Sequence, residues 1–469
     1  MDTDIFKSTT RRESPDRYFQ LVSWVKRCVK AQRLQLRTLL YRVQCHFLCQ
    51  LGLFKFVFSI MRLFRPVFIF RKVLIVTRAC EVREVLGRFD DFTLGESIVP
   101  GMPWGDFLMT ADWRQQHAQE RAWLQSAVGV TADSVRLRAI ISQRCQLQIA
   151  AAKGEIDVVS DLLEPVVVDI ADKYFGVPPL GGSVKSMADA MRDLAGIIMV
   201  KPPIDSKPWL RSRGNIAKIT EQVVNEIAAV SSPAGSPVVA PGDLLTRFVH
   251  RLGTPGAPLW FDEDWIRRYL TGLLATGGAT IVRAAASAID QILAHPDALQ
   301  EARNVAIALT DAETRGDKQR ADALRTTLRH FVYEALRFRP MLPLLLRDTP
   351  RDTVIAYGTK KSRCVRAGTR VLAPPLSAMF DQEAVPDPSR FDATRQFEQY
   401  LHFGFGAREC FGRYIAEIAL LEVFRAVLLL KGLTRKSDAK GQLSFDGPVA
   451  SGLVVEFKSN EFKSDRQPG

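Results

Sequence analysis

The chain has 469 residues, 47% of them hydrophobic, and carries a net charge of +13. That length and apolar content support an extensive core and exclude a disordered chain. The seven cysteines are odd in number, irregularly spaced and without a CxxC pair, which excludes a disulfide framework and suits a reducing cytoplasm. Nucleic-acid binding is a poor use of the charge, because no recognition motif accompanies it. In chain order, residues 1–35 are polar and charged, with Arg11-Arg12 and Lys26-Arg27, and are expected to include a tail. From Leu34 to Phe70, aromatic and aliphatic residues are interleaved with Arg37, Arg42, Lys55, Arg62 and Arg65. Charge-free runs such as Phe56–Met61 fall far below the roughly 18 residues that span a bilayer, so no transmembrane anchor is expected. Two readings of this segment stay open: peripheral contact with an anionic membrane, or a first helix packed on the core with its basic face in solvent.

Val67–Phe70 and Val73–Thr77 read as a hairpin turning at Arg71-Lys72. Apolar periodicity predicts helices at 79–87, 113–127, 135–152, 157–175, 183–200, 212–230, 243–252 and 262–294, with Asp243 as an N-cap. Ser231–Pro237 is the clearest loop. Val354–Tyr357 and Arg370–Ala373, with Gly368 between them, read as a second hairpin. The pattern is mainly α with small β-sheets. No linker separates domains, so residues 66–457 are taken as a single unit between an N-terminal extension (1–65) and a tail (458–469).

The most informative segment is Phe403-Gly404-Phe405-Gly406-Ala407-Arg408-Glu409-Cys410-Phe411-Gly412. Glycines allow a close backbone approach to a flat partner. A neighbouring arginine favours the thiolate that ligates metal, and the apolar helix expected from Gly412 to Leu421 would favour negative sulfur at its start. This loop resembles the haem-binding loop of cytochrome P-450, matching its fixed positions Phe403, Gly406, Arg408, Cys410 and Gly412. The resemblance runs from about residue 66 to 457. It implies the cytochrome P-450 fold, haem b (iron protoporphyrin IX) as cofactor and Cys410 as the iron ligand.

Other constellations carry the same resemblance. Glu334 and Arg337 lie three apart and share a helix face. In isolation they would be a surface pair, but their apolar flanks suit burial. The family joins such a pair to an arginine in a Pro-x-Arg-Phe stretch, here Pro388-Ser389-Arg390-Phe391. His117 and Arg121, one helical turn apart, resemble a clamp for the haem propionates; Arg347 and Arg408 complete that set by resemblance. Leu273-Leu274-Ala275-Thr276-Gly277-Gly278-Ala279-Thr280 resembles the oxygen-binding stretch. Gly277 and Thr280 match as the catalytic positions, whereas the acid position is Ala279. The other reading of Thr280 is a hydroxyl bonded to a backbone carbonyl one turn back.

The resemblance implies a haem-thiolate monooxygenase that inserts one oxygen atom of O2 into a hydrophobic substrate. Only 59 residues follow Cys410, with no flavin or iron–sulfur segment, so electrons are expected from a separate ferredoxin or flavoprotein. The alternative is a peroxygenase or fatty-acid hydroperoxide isomerase, which needs neither electrons nor an acid at position 279. A haem sensor or carrier would need no glycine groove. Expected lining segments are Leu94–Met109, Ala195–Pro203, Leu274–Ile281, Leu342–Leu346 and Pro448–Leu453, with Trp104, Phe107, Met199 and Met341. They suit a lipid or terpene substrate. A monomer is expected.

Overall fold

The computed structural model describes residues 30, 32–46, 49–94, 105–200, 202–232 and 242–458. The charged tail expected at the start, most of Leu94–Met109 including Trp104, part of Ser231–Pro237 and the tail beyond 458 lie outside these residues. Helices α1 (Gln32–His46) and α2 (Leu51–Phe64) lead into strands β1 (Val67–Phe70) and β2 (Val73–Val76). Then come α3 (Ala79–Gly87), α4 (Arg114–Ser126), α5 (Val130–Ala151), β3 (Glu155–Asp157), α6 (Glu164–Ile170), α7 (Val184–Met199), α8 (Lys207–Ser231), α9 (Leu244–Val249) and α10 (Glu263–Leu293). The second half supplies α11 (Pro296–Thr314), α12 (Lys318–Phe338), β4 (Leu345–Asp348), β5 (Thr353–Ile355), β6 (Arg363–Val365), β7 (Arg370–Ala373) and α13 (Arg413–Leu428). Strands β8 (Thr434–Arg435), β9 (Ser444–Asp446), β10 (Val449–Gly452) and β11 (Val454–Glu456) end the described chain.

Local chemistry sets several helix starts. The side chains of Ser183, Ser206, Asp243, Asp262 and Asp317 each accept the amide three residues on, satisfying donors that a helix N-terminus leaves free. The expected start of α8 at 212 moves back to Lys207, because Pro208 sits in the first turn, where a missing N–H costs nothing. The helix expected at 157–175 is α6 with a π-type turn at each end.

The first hairpin has the expected partners, Val67 opposite Val76 and Phe70 opposite Val73. The second does not. Thr353–Ile355 pairs instead with Arg363–Val365, and Arg370–Ala373 joins β4 and, in parallel, β2. Ala356 at φ 55° ends β5 before Tyr357 and turns the chain towards β6, a strand too short and polar to show in the sequence. The resulting sheet runs β1-β2-β7-β4.

Helix α10 is the axis of the core. It is buried on most of its circumference and packs against α7, α8, α12 and α13, which explains its apolar residues on all sides. A smaller apolar cluster joins β2, α3 and β7 to Tyr333 and Tyr400.

Candidate functional site

Cys410 lies between a helical turn at Gly406–Arg408 and the start of α13. Its amide donates to the Phe403 carbonyl at 2.9 Å, closing the loop. Gly406 has φ 77°, and a Cβ there would sit 3.0 Å from the Cα of Gly87 on α3, so this loop can pack on α3 only with glycine. Phe403 joins the smaller core cluster and lies 5.5 Å from the Arg413 guanidinium.

The Cys410 sulfur is accessible, yet protein surrounds it closely enough for burial to raise its thiol pKa. The Gly412 amide, Arg121 and Arg413 pull the other way and favour the thiolate. Arg408, the arginine nearest to Cys410 on its N-terminal side, does not share that role. Instead Arg408 turns away, ion-pairing with Asp112 at 2.5 Å and lying 3.9 Å over the Phe89 ring.

Arg121 donates to the Glu409 carbonyl at 2.8 Å, tying α4 to the loop beside Cys410. His117 is buried against Phe89, with 5.1 Å between ring centroids. Burial, with Arg408 and Arg121 nearby, lowers its pKa to about 4, so the imidazole is neutral at pH 7. Arg347 is 6% exposed, and among the described residues its guanidinium donates only to the adjacent Leu346 carbonyl at 2.8 Å. Burial and then Arg408 push its pKa down to about 10.

Two buried guanidinium groups thus face one carboxylate, Asp112, and the Nε atoms of both Arg347 and Arg408 have no partner among the described residues. Buried charge left without a counter-ion is costly. A dianionic group bound here would complete the set. With Cys410 two residues from Arg408 in the same loop, these residues fit haem: Cys410 for iron, and Arg347, Arg408 and His117 for propionates. Arg121 is already committed to the loop carbonyl. Asp112 and Phe89 left no sequence signal, because nothing local marks them as partners of a residue some 300 positions later.

Glu334 and Arg337 on α12 are both fully buried and paired at 2.7 and 2.9 Å. Arg337 also donates to the carbonyls of Pro388 at 2.7 Å and Arg390 at 3.0 Å. The third side chain is not Arg390, which is exposed and supplies only its carbonyl. Arg395 reaches Glu334 instead, at 3.4 Å, with Tyr400 and the Asp392 amide adding hydrogen bonds at 3.0 and 2.9 Å. The Pro-x-Arg-Phe turn places its main chain against Arg337, so the Arg390 side chain points outward and the inner position falls to Arg395.

On α10, the Thr280 hydroxyl donates to the carbonyls of Thr276 at 2.6 Å and Gly277 at 2.9 Å, the backbone-bonded reading. The two glycines differ. A Cβ on Gly277 would meet only open space, whereas one on Gly278 would sit 2.5 Å from the Met191 sulfur. Ala279 is buried against Ala195, Met199 and Val449, so three of the expected lining segments do converge. Beside it a void of about 10 Å³, room for one water, is also lined by the Glu164–Arg192 ion pair. Burial raises the pKa of that Glu164 carboxyl. Phe107 packs on α10, edge-on to Tyr269. The much larger cleft, about 570 Å³, is lined by Asp189, Arg192, Asp193, Arg211, Lys218 and Asp446, too highly charged to hold an apolar substrate.

Comparisons with known proteins give the family and the fold. The family described as Cytochrome P450 matches residues 196–431, half of the chain. Cyclomarin C epoxidase CymV of Salinispora arenicola is 26% identical over 282 residues, covering 58% of this chain and 59% of that protein. A bifunctional dioxygenase–epoxy alcohol synthase of Fusarium oxysporum is 35% identical over 113 residues, 24% of this chain and 9% of the relative's length. Among solved structures, a mutant of P450 EryK in complex with erythromycin B superposes with a TM-score of 0.69 at 23% identity, over 90% of this chain and 99% of that one.

Proposed function

The chain belongs to the cytochrome P450 family, and on that premise we propose that it is a haem-thiolate monooxygenase inserting one oxygen atom of O2 into a hydrophobic substrate. The observation that carries this is the pair of buried, under-compensated arginines, Arg347 and Arg408, in a site that also holds the Cys410 loop. Bound haem supplies the oxygen-activating chemistry, and the thiolate its electron donation.

The chain's own residues bind and orient. Cys410 would hold the iron, its sulfur supported by the Gly412 amide and the Arg121 cation. Charge-assisted bonds from Arg347 and Arg408 to propionates would each contribute about 1.5–3 kcal/mol. Thr280 Oγ1 has its proton committed to backbone carbonyls, so its lone pairs are free to accept from a water. Ala279 brings no carboxylate, so proton delivery beside Thr280 falls to a water that donates to that oxygen.

The apolar walls at Phe107, Met199 and Ala279 suit a lipid or terpene substrate. Electrons would come from a separate ferredoxin or flavoprotein. The six described cysteines are all free, in keeping with a reducing cytoplasm, and peripheral contact with a membrane belongs to the same reading. Ala279→Glu tests the oxygen-dependent route against the peroxide-dependent one. The expected result is higher coupling of NADPH to product, with peroxide-driven turnover flat or lower. Unchanged coupling, with wild-type turnover on hydroperoxide already above the NADPH rate, would overturn the monooxygenase reading.

A further inference from the structure

Between Arg17 and Arg78 the chain contains thirteen lysines and arginines and no aspartate or glutamate. That equals the whole net charge of +13, so the rest of the protein is close to neutral. The same region concentrates exposed apolar surface. Of 23 large hydrophobic side chains exposed among the described residues, 12 lie between Leu36 and Val73. Scattered exposed hydrophobics need no explanation, but a concentration of this kind does.

Their spacing is helical. Leu53, Phe56, Val57, Ile60, Leu63 and Phe64 recur at three- and four-residue intervals and form one stripe of α2. The opposite face is fixed to the core: Leu51 and Phe58 are buried, and Arg62 donates to the Ser377 hydroxyl at 2.8 Å. The Lys55 ammonium lies 4.4 Å from the centre of the Phe380 ring. Helix α2 is therefore seated, and its outward stripe is surplus to folding. On α1, Leu36, Leu39, Leu40 and Val43 repeat the pattern, and the β1–β2 turn adds Phe70. Around these stripes Arg37, Arg42, Arg65, Arg71 and Lys72 are exposed and make no ion pair with any described residue.

Apolar stripes flanked by unpaired cations, with no acid nearby, match the lipid–water boundary of an anionic bilayer: side chains enter the acyl region and arginines meet phosphates. We propose that α1, α2 and the β1–β2 turn form a docking surface for an anionic lipid membrane, on which the protein lies without spanning it. At 15 and 14 residues, neither helix alone reaches the about 20 needed to cross. A second copy of the chain is the less suitable occupant, because two such surfaces would bring like charges together.

The test is co-sedimentation of the haem-loaded protein with vesicles of phosphatidylcholine, with and without 30% phosphatidylserine. Binding is expected only with phosphatidylserine, weakening at least tenfold between about 0.05 and 0.5 M salt. Phe56→Asp/Phe64→Asp should abolish it, and Arg37→Gln/Arg42→Gln/Arg71→Gln should weaken it at least tenfold, both with unchanged melting temperature and carbon-monoxide spectrum. Absence of binding to either vesicle overturns the proposal. So does a concentration-dependent dimer that Phe56→Asp/Phe64→Asp dissolves without any vesicle binding. Because the spectrum is read on the same samples, failure here is distinguishable from failure of the haem assignment.

Discussion

The core around Glu334 and the wall around Gly277–Thr280 are specified in opposite ways. At Glu334 and Arg337, every polar atom of the pair is held by a partner: Arg395, Tyr400, and the main chain of Met379, Pro388, Arg390 and Asp392. Two buried charges without these partners would cost several kcal/mol, so the arrangement tolerates one geometry. The α10 wall is held mainly by shape, its Thr280 hydroxyl bonding within the helix: a glycine under Met191, a second glycine facing open space, and alanine where a carboxylate would be polar. A rigid, fully bonded base carries the cysteine loop, while a weakly polar wall can change its lining without unfolding the protein.

The sharpest break of this contrast is at the loop. Cys410→Ala should eliminate the red-shifted Soret band of the reduced carbon-monoxide complex entirely, while the unfolding midpoint of the haem-free protein stays near wild type. A retained band would mean that another residue ligates the iron. Next in size, Glu334→Ala or Arg337→Ala should cost about 3–5 kcal/mol and yield little haem-loaded protein, measured by denaturant titration and haem content. A loss below about 1 kcal/mol would place the pair among ordinary surface ion pairs and remove the contrast.

The smallest effects lie on the wall. Gly278→Val should destabilise by about 1–3 kcal/mol, because its side chain meets Met191. Gly277→Ala should instead stabilise α10 by up to about 1 kcal/mol, since it adds helix propensity and touches nothing. Equal effects at the two positions, read from denaturant midpoints, would show that the glycines share one role.

The sequence by itself determined what is local. Cys410 and its glycines sit within ten residues, Glu334 and Arg337 within one helical turn, and the Asp243 cap within three residues of the amide that donates to it. Such features need only neighbours along the chain, so spacing reveals them. Tertiary structure alone decided what lies across it. Arg395, rather than Arg390, reached Glu334 because the turn after Pro388 faces its main chain inward. Asp112 found Arg408 across almost 300 residues, and β7 chose β2 and β4 over Val354–Tyr357. The outward stripe of α2 followed the same rule: periodicity shows an apolar face, but only packing decides which face the core covers and which it leaves to another surface.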